Sequence, residues 1–217
     1  MKRRSGLRKC ADFVTFPVRA LSVIERDRFG LTSLADERYD YVSREVRGEC
    51  LDVGCGRHNR FINEYRGGRG RGIDVYRHEG LTEGHVVSDI SHFPFDDCSF
   101  ETVTFIANLN HVPRSLRDVE LREAHRVLVS GGKIVVTMGN PLAEVLTHKV
   151  TAMHDRFFGT RYELDLERGM HPEEEYYCTD AEIRERLTRA GFRDLKKKFF
   201  ATQWCLNHLI SGRKPAG

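Results

Sequence analysis

Three carboxylates, each closing a short apolar run, are the residues of this chain best suited to chemistry: Asp52 after Cys50-Leu51, Asp74 after Gly72-Ile73, and Asp89 after Val86-Val87-Ser88. Asp52 leads at once into Val53-Gly54-Cys55-Gly56-Arg57, where two glycines let the backbone turn sharply and approach a ligand with no side chain between. Asp74 lies 22 residues beyond Asp52. That is close to the roughly 20 residues at which a nucleotide-binding fold presents an acid to ribose hydroxyls from the end of its second strand. Two hydroxyls can donate to one carboxylate, so an acid suits that place. The pattern is that of a nucleotide-like cofactor held by backbone and acids. A further candidate, His111 in Ala107-Asn108-Leu109-Asn110-His111-Val112-Pro113, follows the apolar run 102–106. An imidazole with an ordinary pKa of about 6.5 suits a general base for a nucleophile that must lose a proton. Packing beneath a ligand, or capping a helix at Pro113, is an equal use for it.

Positioning these groups takes a sheet with helices between its strands. Residues 49–53, 70–74, 84–87, 102–106 and 133–138 read as strands, and 192–200 with 202–210 as a closing hairpin. Between them, 34–46 reads as a helix with Thr32 or Ser33 as cap and Asp36 and Glu37 in its first turn. Residues 59–66 carry Phe61, Ile62 and Tyr65 on one face before Gly67-Gly68 stops the helix. In 115–128, Leu116, Val119, Ala124, Val127 and Leu128 recur at helical spacing, and Thr179-Asp180-Ala181-Glu182 caps a helix that reaches Ala190. A short helix is expected after Pro17, its apolar side on the body of the domain or serving as a lid or membrane-surface contact. Residues 1–9 read as frayed, and one helix is expected over 141–158, followed by an irregular, charged stretch.

At 217 residues and 40% hydrophobic content the chain suffices for one α/β core. The net charge of +3 is uneven: residues 1–30 carry eight Lys/Arg against three Asp/Glu, leaving the remainder slightly acidic. A near-neutral body argues against nucleic acid as partner, while the basic leader suits weak contact with a membrane surface. The six cysteines show no C-x-x-C pair or zinc spacing, which favours a reducing cytoplasm and no metal site. No apolar run approaches the roughly 20 residues of a membrane span, and no secretory signal peptide is visible. Nothing in the sequence sets an oligomeric state.

The order of these features resembles the class I S-adenosylmethionine-dependent methyltransferases of the type 11 kind. Carrying the resemblance are Asp52-x-Gly54-x-Gly56, the acids after the second and third strands, the connector Phe93-Pro94-Phe95-Asp96-Asp97-Cys98-Ser99-Phe100, and a helix ending Arg126-Val127-Leu128 before Gly131-Gly132. The resemblance implies a Rossmann-like seven-stranded, mostly parallel sheet in the order 3-2-1-4-5-7-6, its last strand antiparallel, with helices on both faces. It implies S-adenosyl-L-methionine as cofactor, with contacts at Asp52, Gly54, Cys55, Gly56, Asp74, Val75, Asp89, Ile90, Ala107 and Asn108. His111 becomes the catalytic candidate. Tyr39, His171 and Tyr176 become candidates to meet a small-molecule, sugar or lipid-linked acceptor, methylated on oxygen or nitrogen. Residues 1–46 would be a helical cap or lid, 47–217 the domain, and 141–177 a substrate-side insert. His58 stands where the family's third glycine falls, and Asn59 stands where a nicotinamide-binding Gly-x-Gly-x-x-Gly needs glycine. The missing glycine leaves room for an alternative, a catalytically inactive cofactor-binding regulatory or scaffold subunit.

Overall fold

A computed structural model describes residues 5–21, 26–139 and 178–217. Its centre is Cys50–Val53 (β1), buried throughout, as a strand with neighbours on both sides and cover on both faces must be. Arg71–Ile73 (β2) and Phe100–Ile106 (β3) flank it in parallel, placing Asp52 opposite Gly72 on one side and Thr104 on the other. Leu128–Gly139 (β4) runs parallel to β3. Asn207–Arg213 (β6) lies antiparallel between β4 and Arg193–Phe199 (β5).

Among the described residues the sheet therefore has six strands, ordered β2-β1-β3-β4-β6-β5, rather than the expected seven in the order 3-2-1-4-5-7-6. The missing strand is 84–87. Thr82 caps a 3₁₀ turn at Glu83–His85, its side chain and the His85 ring exchanging bonds with the turn's own backbone, and this local closure competes with a ladder. What survives is a single parallel bridge between Asp74 and Val86.

Alternation along β1 sends Leu51 and Val53 to one face and Cys50 and Asp52 to the other. On the first face Leu51, Val53, Val103 and Phe105 meet Leu121, Ala124 and Val127 of Arg117–Val127 (α4) and Ile183 and Leu187 of Asp180–Arg189 (α5). On the second, Ile106 and Val135 meet Phe61, Ile62, Tyr65 and Val42 of Leu34–Ser43 (α3). The buried side of α4 differs from the apolar pattern: Leu116 is exposed, whereas Glu120 and Glu123 are buried. Glu123 is drawn in by bonding. It accepts from the Phe93 N–H at 2.7 Å and pairs with Arg126, whose guanidinium donates to the carbonyls of Phe93 and Phe95 and to Asp97. This fork pins the segment that the absent third strand leaves without a ladder.

The leader is also more ordered than its composition implies. Gly6–Val14 (α1) is helical, with Ser5 as cap accepting from the Arg8 N–H, and Phe16–Leu21 (α2) follows with Pro17 in its first turn, where a missing N–H costs nothing. Arg19 is fully buried, its guanidinium bonded to Glu37 at 2.8 Å and to the carbonyls of Asp12, Thr32 and Thr202. Arg19 thereby ties α1 and α2 to Thr32, to Glu37 of α3 and to the turn at Thr202. The expected helix over 141–158 lies outside the described residues.

Asp36, in the first turn of α3, ties the leader to the residues after the glycine turn. Its carboxylate accepts from the Tyr65 hydroxyl at 2.8 Å, from Arg60 at 2.5 Å, from the Ser33 hydroxyl at 2.9 Å and from the Asp27 N–H at 3.0 Å. Burial alone would raise its pKa, but Tyr65, Arg60, Ser33 and Asp27 together hold it below the ordinary carboxylate range. Replacing Asp36 by Ala removes the acceptor shared by Arg60, the buried Tyr65 and Ser33 hydroxyls and the Asp27 N–H. Urea denaturation at pH 7 should show a loss of about 3–5 kcal/mol; a loss below about 1 kcal/mol would remove Asp36 from that role.

Candidate functional site

At the carboxyl end of β1 the chain turns through Gly54 and Gly56, at φ of 72° and 63°. The N–H groups of Gly54 and Cys55 both donate to the Ile73 carbonyl, at 2.8 and 3.0 Å, folding the turn back across β2. Gly56 then donates to Asp74 Oδ2 at 2.9 Å. A Cβ on Gly54 would strike the Asn108 side chain at 2.2 Å, whereas one on Gly56 would meet nothing within 4 Å. The turn is closed on the sheet side and open on the other. Beyond it, His58 holds φ of 61° and Asn59 φ of 45°, left-handed conformations that His and Asn tolerate better than most residues.

The predicted residues fall into distinct settings. Asp52 is buried and accepts from the Thr104 hydroxyl at 2.7 Å; burial, with Asp74 nearby, pushes its carboxyl up to about 8 despite that bond. Cys55 is buried, and its thiol is pushed far above the ordinary range, first by burial and then by Asp52 and Asp74, so it is no nucleophile. Asp74 is buried, with Oδ1 accepting from the Tyr76 N–H at 3.0 Å; Val75 beside it is exposed. Asn108 donates to the Val53 carbonyl at 3.1 Å, and Ala107, at φ of 51°, donates its N–H to Thr137 at 2.8 Å. The ends of β1, β2, β3 and β4 thus meet around the turn.

Three candidates sit further out. Asp89 is exposed and accepts from the Ser91 N–H at 2.8 Å, and the Ser91 hydroxyl followed by that N–H lowers its pKa, while Ile90 is half-buried against the first core. His111 is half-buried at the end of a 3₁₀ turn, its N–H donating to the Asn108 carbonyl at 2.7 Å. Tyr39 lies between the rings of Phe61 and Tyr65 with the Arg60 guanidinium 5.6 Å away, and burial followed by the Asp52 charge pushes its hydroxyl up to about 12. His171 and Tyr176 lie outside the described residues. Among those described, no three His, Cys, Asp or Glu side chains gather as a metal site, and no helix is long and apolar enough to cross a membrane.

Two functional neighbours escaped the sequence. Thr104 looks like any strand residue until the register sets it beside Asp52. Glu120 is buried with Oε2 lacking a hydrogen-bond partner, and burial plus the Asp74 charge pushes its carboxyl up to about 8. An acid at a core position of α4 was the available signal.

A family model described as a methyltransferase domain matches residues 51–136, the stretch from β1 through β4. Over those residues the chain is similar to the methyltransferase-domain family. A provisionally named methyltransferase of Encephalitozoon cuniculi is 29% identical to it over 121 residues, 54% of this chain and 56% of that protein. The chain spans about half the length of the curated relatives it matches. Among solved structures, a Thermotoga maritima S-adenosylmethionine-dependent methyltransferase, described as a possible histamine N-methyltransferase, aligns over 93% of both chains with a TM-score of 0.58 and 16% identity. The [4+2]-cyclase SpnF aligns over 97% of this chain and 96% of its own, with a TM-score of 0.58 and 18% identity. At such identities the likeness is one of fold, and the cyclase shows that this fold also serves other chemistry.

The raised carboxyls of Asp52 and Glu120 make the stability of the fold depend on pH. Asp52 and Glu120, both about 8 when folded against ordinary values of 3.8 and 4.5, contribute stability that is fully present below about pH 4 and lost as pH rises through about 8. His125 and His208, whose values burial lowers, act oppositely below about pH 6.5, so variants are compared with wild type at each pH. Asp52→Asn and Glu120→Gln should each flatten the fall in urea-denaturation stability between pH 6 and 8, with a limit of about 1.4 kcal/mol per pH unit for one proton. An unchanged slope in both variants would show that neither carboxyl takes up the proton.

Proposed function

We propose that this protein binds S-adenosyl-L-methionine at the glycine turn and transfers its methyl group to oxygen or nitrogen of a small-molecule, sugar or lipid-linked acceptor. The observation that carries the reading is the bond between Gly56 and Asp74, which holds the turn open on its outer side. The residues there suit the cofactor. Each Asp74 oxygen accepts one backbone N–H and retains a lone pair for a ribose hydroxyl. Asp52, poorly solvated, would gain most from a cationic ammonium beside it. Asp89 and Ile90 would receive the adenine, and Ala107 and Asn108 would complete the wall behind the turn.

The cofactor, when bound, supplies a methyl group on an already electrophilic sulfonium. The chain's own work is then to orient the acceptor and exclude water, since alignment of two reactants supplies most of such an effect. For a hydroxyl acceptor, His111 takes the proton. Tyr39, His171 and Tyr176 are assigned to the acceptor side, and residues 141–177, outside the described structure, to the insert that covers it.

Calorimetric titration with S-adenosylhomocysteine tests the cofactor. Binding is expected, and Asp74→Ala should weaken it by about 1.5–3 kcal/mol; a folded protein that binds none at millimolar ligand would overturn the reading. His111→Ala should lower kcat for a hydroxyl acceptor by about 10²–10⁴-fold while leaving homocysteine-product affinity unchanged. Supplying a cell extract with labelled cofactor identifies the methylated product. A protein that binds cofactor yet labels nothing would instead be the inactive scaffold subunit.

A further inference from the structure

Helix α1 is seated in the opposite sense from an ordinary surface helix. Leu7, Cys10, Ala11 and Val14 fall at i, i+3, i+4 and i+7, so they form one stripe, and that stripe faces solvent, with Leu7 86% and Val14 73% exposed. The side turned inward is polar: Asp12 is only 2% exposed, and Arg8 bonds the Thr32 hydroxyl at 3.0 Å and approaches Asp12 at 3.7 Å. The cause is Arg19, whose buried charge needs the Asp12 carbonyl, the Thr32 carbonyl and Glu37, so the domain uses the polar side of α1 and leaves its apolar side out. Single exposed aliphatic residues are ordinary, but a stripe of this spacing is not. Val18 extends it, 57% exposed, and Trp204 stands at its end, 48% exposed, with its indole N–H donating to the Phe13 carbonyl at 2.9 Å.

We propose that this stripe docks on an anionic lipid surface. Charge selects that occupant: residues 1–9 carry five Lys/Arg and no acid, Asp12 points inward, and the rest of the chain beyond residue 30 is slightly acidic. A short apolar stripe flanked by cations, with an aromatic residue that is apolar on its faces and polar at one atom, is the pattern of a helix lying in the headgroup region. Location agrees with this. α1 rests on the turn at Ala201–Gln203 between β5 and β6, and because Gly139 pairs with Asn207 that turn lies at the carboxyl edge of the parallel strands, where the glycine turn also opens. The inference stands on α1 alone, whatever the reaction; if methyl transfer also holds, docking would bring that edge to acceptors carried by the bilayer.

The test uses the whole protein with vesicles of phosphatidylcholine alone and of phosphatidylcholine with phosphatidylserine. Trp204 is the chain's single tryptophan, so its emission reports from the patch itself. Expected are co-sedimentation with the anionic vesicles and a blue shift of the emission, both reversed by high salt. The doubly substituted Leu7→Gln, Val14→Gln protein, altered only at exposed positions, should partition about tenfold or more weakly with unchanged circular dichroism. No partition into anionic vesicles, or equal partition of wild type and variant, would overturn the proposal. So would a concentration-dependent dimer that the double substitution dissolves while vesicle binding is absent, which would assign the stripe to a second copy of the chain.

Discussion

One hydrogen bond, from the Gly56 N–H to the Asp74 carboxylate, governs the site end of this molecule. Positive φ values cost glycine little, so the turn after β1 has many conformations open to it. Asp74 removes most of them. Its side chain reaches the turn only because β2 is in register with β1, and its own backbone is held by the bridge to Val86. Strand pairing, an acid at a strand end and a flexible turn therefore depend on one another. Asn108 closes the same turn from β3, which makes the arrangement a junction of consecutive strand ends.

Burial and charge pull in opposite directions around that junction. Asp52 and Glu120 are taken out of water with little to neutralise them, and each is raised by Asp74 as well. Asp36 in α3 is equally hidden yet well supplied with donors, and its value falls. The difference marks which acid is structural. A carboxylate surrounded by four protein donors is satisfied by the fold, while two poorly solvated acids, each also raised by the Asp74 charge, are held at a cost that a cationic group would relieve.

What the sequence made legible was what local residues decide. Leu51 through Gly56 reads as strand and turn because burial and φ requirements are written in adjacent positions; Ser33 and Thr179 cap their helices as their types suggest. What failed was what other parts of the chain decide. Residues 84–87 have the composition of a strand, but the bonds of Thr82 and His85 close a turn first. The inward faces of α1 and α4 carry Asp12, Glu120 and Glu123, and two of the bonds that orient these faces span 24 and 30 positions, as Arg8 reaches Thr32 and Glu123 reaches Phe93. Periodicity finds an apolar stripe without saying which way it faces.

The Arg126 fork carries a consequence for how this molecule can vary. It holds the connector through the carbonyls of Phe93 and Phe95 rather than through their side chains. Every amino acid supplies a carbonyl. The exposed residues along that loop are therefore free to drift without loosening its attachment, whereas Phe93, buried in the first core, is not. The constraint is concentrated instead on a single planar cation, for which lysine, with no fork of donors, is a poor replacement. A lineage that kept Arg126 and Glu123 would be free to change the exposed residues of this connector one at a time.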